Sequence, residues 1–289
     1  MEKALFITNI AQLTDADDMY TRLYYGNEFC ERLIPSLRDL QTVIHYTKQS
    51  RLAFSLVSPC VTNSGLEELQ VLFEYLKSED ITCEVIVNDW GVLSLVNSKY
   101  RNLIPVLGRL LTKQKRGPRI ISLLKREVTP RLMVDYINPG KRTILIQKPL
   151  PSGVDPYYKG SNTASVPIIH DFLISQRISR IELDNTEQGL SLALPKDKIG
   201  ASVYVPYVYI STTFYCLTAG CEEKEKSLLR IRACAKECQR YIFKLRHRTM
   251  PKIIYLRGNT QFYKNARLRL REYKHSGVNR IVYQPHIPM

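Results

Sequence analysis

The feature that most constrains this chain is a recurrence: short β-branched or aromatic runs keep returning, with amphipathic helical stretches between them. The runs are ALFIT at 4–8, RLYYG at 22–26, LAFSLV at 52–57, CEVIVN at 83–88, RTILI at 142–146, SRIELD at 179–184, ASVYVPYVYI at 201–210, KIIYLR at 252–257 and NRIVY at 279–283. Between two of them, GLEELQVLFEYLKSED at 65–80 puts Leu66, Leu69, Leu72, Phe73 and Leu76 on one helical face. About eight usable strands alternating with helices predict a TIM-type (β/α) barrel, with an open doubly wound sheet as the alternative. A chain of 289 residues fits a single barrel domain over 1–289. The rhythm weakens between about 97 and 170, where QKRGPR, NPGKR and PLPSGVDPYYKGSN are rich in turn formers, so an irregular, loop-rich insertion is expected there.

No run of about 18 apolar residues is present, and the start MEKALFITNIAQL lacks the pattern of an export signal. The expectation is a soluble, cytoplasmic protein without a transmembrane segment. In that reducing compartment clustered cysteines bind metal or do redox chemistry more often than they form disulfides. Charge is uneven. Residues 228–289 hold 15 Lys and Arg against only Glu237 and Glu272, which accounts for +13 of the formal +15. Such a field attracts anions: RNA phosphates, an acidic partner, or a carboxylate-rich small molecule.

In a barrel the chemistry sits in the loops that follow the strands' C-terminal ends. Four loops qualify: GNEFC after RLYYG, NDWG after CEVIV, DNTEQG after SRIEL, and the cysteine stretch after ASVYVPYVYI. In that last stretch Cys221, Cys234 and Cys238 are spaced C-x12-C-x3-C. Converging strand ends would bring them to Cys30, and four thiolates suit zinc or an iron–sulfur cluster. Spacing alone is equally compatible with packing, because on a helix Cys234 and Cys238 continue into the face of Tyr241, Ile242 and Leu245. Arg230, Arg232, Lys236 and Arg240 either offset thiolate charge or form a solvated face. Cys216 is the alternative to Cys221 as a ligand, and Cys60 and Cys83 read as core residues.

Asn88 and Asp89 are candidate substrate-site residues, against an Asx turn or helix N-cap. Trp90 reads as core, and Glu182 and Asp184 read as rim charges or salt-bridge partners. A helix over 262–275 would carry Phe262, Ala266, Leu270 and Tyr273 on one side. Lys264, Arg267, Arg271 and Lys274 would then form a solvated face, with Lys264, Arg267 and Arg271 as candidate anion-binding residues. The five histidines are scattered without a HExxH or protease spacing, so proteolysis has no support from pattern.

The segment LYYGNEFCERL at 23–33 resembles an early motif of the collagenase-like peptidase family (unclassified peptidase family thirty-two), and most of all its UbiV-type branch of ubiquinone biosynthesis. CEVIVNDWGVLSLV at 83–96 and the C-x12-C-x3-C spacing resemble the same group. The resemblance implies a barrel in which Cys30, Cys221, Cys234 and Cys238 bind a 4Fe-4S cluster. It also implies oxygen-independent hydroxylation: of the ubiquinone ring precursor beside a homologous UbiU-like subunit, or of RNA bases in relatives, with prephenate as oxygen donor. A non-catalytic, partner-binding barrel is the third reading. The basic C-terminal third and the irregular middle fall outside these motifs, so no substrate is carried over.

Overall fold

The computed structural model describes residues 1–121, 131–138, 141–147, 153, 155–160, 166–195, 198–223, 233–248 and 250–289. Eight parallel strands close a barrel in the order β1 (Glu2–Ile7), β2 (Arg22–Gly26), β3 (Ala53–Val57), β4 (Cys83–Val87), β5 (Leu103–Leu107), β8 (Arg180–Asp184), β9 (Gly200–Val205) and β14 (Val278–Tyr283), which returns to β1. The barrel expected from the alternating pattern is therefore the architecture observed.

Helices α1 (Leu37–Gln49), α2 (Asn63–Ser78) and α3 (Trp90–Lys99) follow β2, β3 and β4 and cover the outer wall. The Ser36 hydroxyl caps α1 by accepting from the Asp39 amide at 3.1 Å, and the Asp89 carboxylate caps α3. On α2 the predicted face is buried through Leu69, Leu72, Phe73 and Leu76, roughly 1.5–3 kcal/mol for each side chain removed from water. Between β1 and β2 a 3-10 turn over Ile10–Asp15 replaces a full helix.

Strand β8 inverts the usual alternation. Ile181 and Leu183 face outward into the main core under the helices, while Glu182 and Asp184 are fully buried on the lumen side. The lumen is packed by Ala4, Phe6, Tyr24, Val57, Ile86, Val106, Tyr204 and Val282, with Phe6, Tyr24 and Tyr204 meeting edge to face at 6.0–6.5 Å. Its lower end is closed by ion pairs, Arg280 to Glu2 and Glu84 at 2.6 Å each and Arg22 to Glu2 at 2.7 Å.

Several runs lie elsewhere than the barrel. RTILI falls in β7 (Lys141–Gln147), paired antiparallel with β6 (Arg131–Asn138) in a separate two-stranded sheet. ASVYVPYVYI divides at Pro206, whose missing N–H cannot continue a ladder, into β9 and β10 (Tyr207–Thr212). Strand β10 opens a second sheet ordered β10, β13 (Thr260–Lys264), β12 (Ile254–Arg257) and β11 (Phe243–Leu245), so KIIYLR is also outside the barrel. The barrel's β5 lies within the stretch expected to be irregular, and Pro105 inside it is what obscures it. The expected helix over 262–275 is only Leu270–His275. Phe262 and Tyr263 are buried in β13, while Ala266 and Leu270 are exposed. Among the described residues no helix is long and apolar enough to cross a membrane.

Candidate functional site

The loops after the barrel strands build the mouth from its floor upward. Arg109, just after β5, is fully buried between Glu28, just after β2, and Asp184, at the end of β8. Its Nε donates to both Glu28 oxygens at 3.1 Å and its Nη1 to Asp184 Oδ1 at 2.8 Å. Arg116 pairs with the other Asp184 oxygen. The Arg109 guanidinium also lies 4.0 Å from the Tyr204 ring centroid, and that of Arg116 lies 4.1 Å from Tyr209. Burial alone would lower the Arg109 pKa, but Glu28 and Asp184 outweigh it and raise it, so the residue stays charged. Two cations and two carboxylates thus form a neutral, rigid floor.

Above that floor the thiols gather. Asn27 Oδ1 accepts from the amides of Phe29 and Cys30 at 2.9 and 3.0 Å, which turns the chain after β2 and sets Cys30 at the mouth. Phe29, Cys30 and Cys238 pack in one cluster with Tyr209, Phe262 and Met289. Burial pushes the Cys30 thiol up to about 11, and the thiols of Cys238, Cys234 and Cys216 add to the rise. Cys238 is raised by burial, again with Cys216 and Cys234 contributing. Cys30 and Cys238 therefore pack together at the mouth, with Cys216 and Cys234 near enough to add to the rise on both.

The turn between β12 and β13 holds this locus together. Asn259 Nδ2 donates to the Phe29 carbonyl at 2.7 Å and to the Thr213 carbonyl at 2.6 Å, tying the Cys30 loop to the chain that leads into Cys216. Arg257 Nε donates to the Cys238 carbonyl at 2.8 Å. Gly258 between them has φ 60, in the left-handed region, and a Cβ there would lie 3.3 Å from Cys238 Cβ. These three residues were not picked out from the sequence, where only the turn-forming Gly-Asn pair hints at them.

Cys221 is exposed, with Glu237, Glu222 and Arg240 among the charges around it. Cys234 lies in a loop and Cys238 in a 3-10 turn over Glu237–Gln239, not on a helix. Tyr241, Ile242 and Leu245 form no buried face, being 40, 46 and 44% exposed, although Cys238 itself is buried in an apolar cluster. Arg230 and Arg232 lie outside the described residues. Lys236 is exposed and Arg240 pairs with Glu222 at 2.9 Å, whereas the buried cation beside Cys238 is Arg257.

Asn88 is buried and spends its amide on structure, donating to the Ser58 carbonyl at 2.9 Å and accepting from the Leu110 amide at 3.0 Å. Asp89 is the N-cap of α3, accepting from the Gly91 amide at 2.6 Å, and it also accepts from Cys60 Sγ at 3.2 Å. Cys83 is buried; Cys60 is half-buried. Trp90, read as core, is 46% exposed and meets Phe172 edge to face. Lys264, Arg267, Arg271 and Lys274 are exposed. A cavity of about 550 Å³ opens at the mouth, walled by Phe29, Asn88, Tyr209 and Phe214 with Lys113, Lys115 and Arg116 among its cations.

Among the described residues no three Cys, His, Asp or Glu side chains are drawn up to single-ion spacing. The donor type is right for a thiolate-bound group, with Cys30 and Cys238 packed together and the Arg257 guanidinium beside Cys238.

No protein-family model matches the chain, and no curated protein does. Among solved structures it is similar to the U32 peptidase Mk0906, at 9% identity and TM-score 0.44 over 100% of this chain and 94% of that one. It is also similar to human YKL-39, a pseudo-chitinase with retained chitooligosaccharide binding, at 11% identity and TM-score 0.37 over 98% and 91%. A glycoside hydrolase family 18 N-acetylglucosaminidase from Paenibacillus barengoltzii matches at 8% identity and TM-score 0.34, over 98% and 94%. Likenesses this distant say nothing of activity; the barrel rests on its own strand order.

Proposed function

We propose that this chain is an iron–sulfur protein of oxygen-independent hydroxylation, a UbiV-like member of the collagenase-like peptidase family that works beside a UbiU-like subunit in ubiquinone biosynthesis. The observation that supports this reading is the packing of thiols from two distant parts of the chain, Cys30 and Cys238, at the barrel mouth where chemistry on this fold is sited. A 4Fe-4S cluster bound there would supply one-electron chemistry. The chain's own residues would hold it by thiolates, with Asn259 and Arg257 fixing the loops that carry them and Arg257 offsetting part of their charge. The Arg109 floor keeps the strand ends in place beneath.

The adjoining cavity supports an anionic guest, with Lys113 and Lys115 near aromatic walls. Prephenate, the oxygen donor implied by the resemblance, has that character. A partner subunit is supported by the exposed edge strand β11, whose Phe243 and Leu245 are 38 and 44% exposed. The test is metal and acid-labile sulfide analysis of anaerobically purified protein. Stoichiometric iron and sulfide are expected. Zinc alone, or no metal, would overturn the cluster.

A second reading, RNA base hydroxylation, is supported by the exposure of Lys264, Arg267 and Arg271 along one basic stretch.

A further inference from the structure

We propose that the outer wall of the barrel over β1 and β14 holds a docking groove for an acidic amphipathic helix of a partner protein. The groove is independent of the thiol site and shares no residue with the exposed edge strand β11.

This part of the wall has short cover. After β1 the chain makes only the 3-10 turn over Ile10–Asp15, which buries none of its own residues. Before β14 the helix Leu270–His275 has 6 residues, about 9 Å of length against about 24 Å for the 16 of α2. Beside that short helix lies a cavity of about 410 Å³, with Ile281 of β14 at its floor and Leu268, Leu270 and Tyr283 along its walls. Ile281 is 3% exposed, whereas Leu270 is 47% exposed and has apolar surface left to cover.

The short helix has two sides. At about 100° per residue, Arg269, Glu272, Tyr273 and Ser276 fall together on one of them. There Tyr273 is buried, Glu272 accepts from the Leu190 amide at 2.5 Å, and the Ser276 hydroxyl donates to the Leu190 carbonyl at 3.3 Å. That side is fastened to the barrel. Leu270, Arg271 and Lys274 share the other side, and these are the helix residues that line the cavity.

Charge selects the occupant. Lys3, Arg271 and Lys274 line the cavity, no acidic side chain does, and among the described residues none of the three cations is in an ion pair. A fitting ligand brings apolar side chains to the floor and carboxylates to the rim. A helix with Leu at i, i+3, i+4 and i+7 and Glu beside that stripe does both in one element, and it adds helix where the wall is short of it. RNA fits less well. Its phosphates would meet the cations, but the aliphatic Leu268, Leu270 and Ile281 offer no stacking platform, and the Tyr283 ring is engaged edge to face by Tyr20 at 5.9 Å.

Fluorescence anisotropy with the full chain tests this, using a labelled helical peptide of about 18 residues that carries a Leu stripe flanked by Glu. A scrambled form, a Lys-for-Glu form and oligouridylate are the comparison probes. Two variants alter exposed positions only, Leu270→Glu and the pair Lys3→Glu with Lys274→Glu, and matching urea midpoints check that both fold. The expected result is saturable binding of the acidic helix, weakened at least about tenfold by scrambling and by each variant, with the Lys-for-Glu peptide gaining affinity for the doubly reversed protein. Weakening by the lysine pair but not by Leu270→Glu would reduce the groove to a charged patch and overturn the proposal. Equal binding of the scrambled peptide, or no peptide binding up to about 1 mM, would overturn it as well. Oligouridylate binding that is lost in the lysine pair, without peptide binding, would assign the face to RNA instead.

Discussion

The side-chain amide of Asn259 donates to the backbone carbonyl of Phe29, 230 positions away in the chain, at 2.7 Å. Together with its second bond, to Thr213, this makes one buried amide the fastener between the two halves of the thiol site. Asn259→Asp keeps the shape but offers no N–H, turning two attractions into oxygen–oxygen repulsion. It is expected to destabilise the fold by about 2–3 kcal/mol in urea titration, and to lower iron per chain more than that loss alone explains. Iron content equal to the unaltered protein's, measured under conditions where both are folded, would remove Asn259 from the site's support.

Arg109 gives a sharper stability test, because it is buried with both its carboxylate partners. Arg109→Met leaves Glu28 uncompensated and is expected to cost about 3–5 kcal/mol. Adding Glu28→Gln to it removes the stranded charge and should restore a good part of that loss. Simple additivity of the two substitutions in denaturation would show that Glu28 and Arg109 are not coupled.

Glu182 in the lumen sets a pH dependence. Burial pushes its carboxyl up to about 7, with one oxygen held by Tyr24 and Ser202 and the other, Oε2, without a hydrogen-bond partner among the described residues. A carboxyl whose pKa is higher folded than unfolded binds more protons when folded, so its contribution is full below the unfolded value and is lost as pH rises through about 7. Between about pH 4 and pH 8 the unaltered protein should therefore lose up to about 3 kcal/mol relative to Glu182→Gln. Parallel stability profiles for the two proteins over that range would refute it.

For the RNA reading, replacing Lys264, Arg267 and Arg271 with Gln should weaken binding of single-stranded RNA and reduce the slope of log affinity against log salt by about 2. Fluorescence anisotropy at several salt concentrations measures both. An unchanged slope counts against these residues as phosphate contacts and leaves the ubiquinone reading alone.

Much of the barrel was legible because parallel strands under helices must be apolar on at least one face, and seven of the nine runs read from the sequence contain a barrel strand. The exceptions have physical causes. β-branched runs such as RTILI and KIIYLR look alike whether they pair inside a barrel or in a side sheet, since period alone does not name a partner. Pro105 disguised β5, and the aromatic Phe262 and Tyr263 fit a helical stripe as well as the strand they form. At the site, cysteine identity was visible but its geometry was not. Cys216 and Cys221 differ by five positions in sequence, and different side chains hold the turns before them, Asn259 at Thr213 and Glu237 at Gly220. Asn259 and Arg257 act on carbonyls far away in the chain, a role with no local pattern.

The sheet over the mouth leaves the barrel at Pro206 and returns at Asn265, whose amide donates to the Pro206 carbonyl at 2.7 Å. Its entry and exit are thus side by side, and the strands flanking it, β9 and β14, are direct neighbours in the barrel. This connectivity makes the cover a cassette. A lineage could lengthen, trim or exchange it without rerouting a single barrel strand, so the part of the molecule that carries four of the seven cysteines is free to diversify while the scaffold beneath stays still.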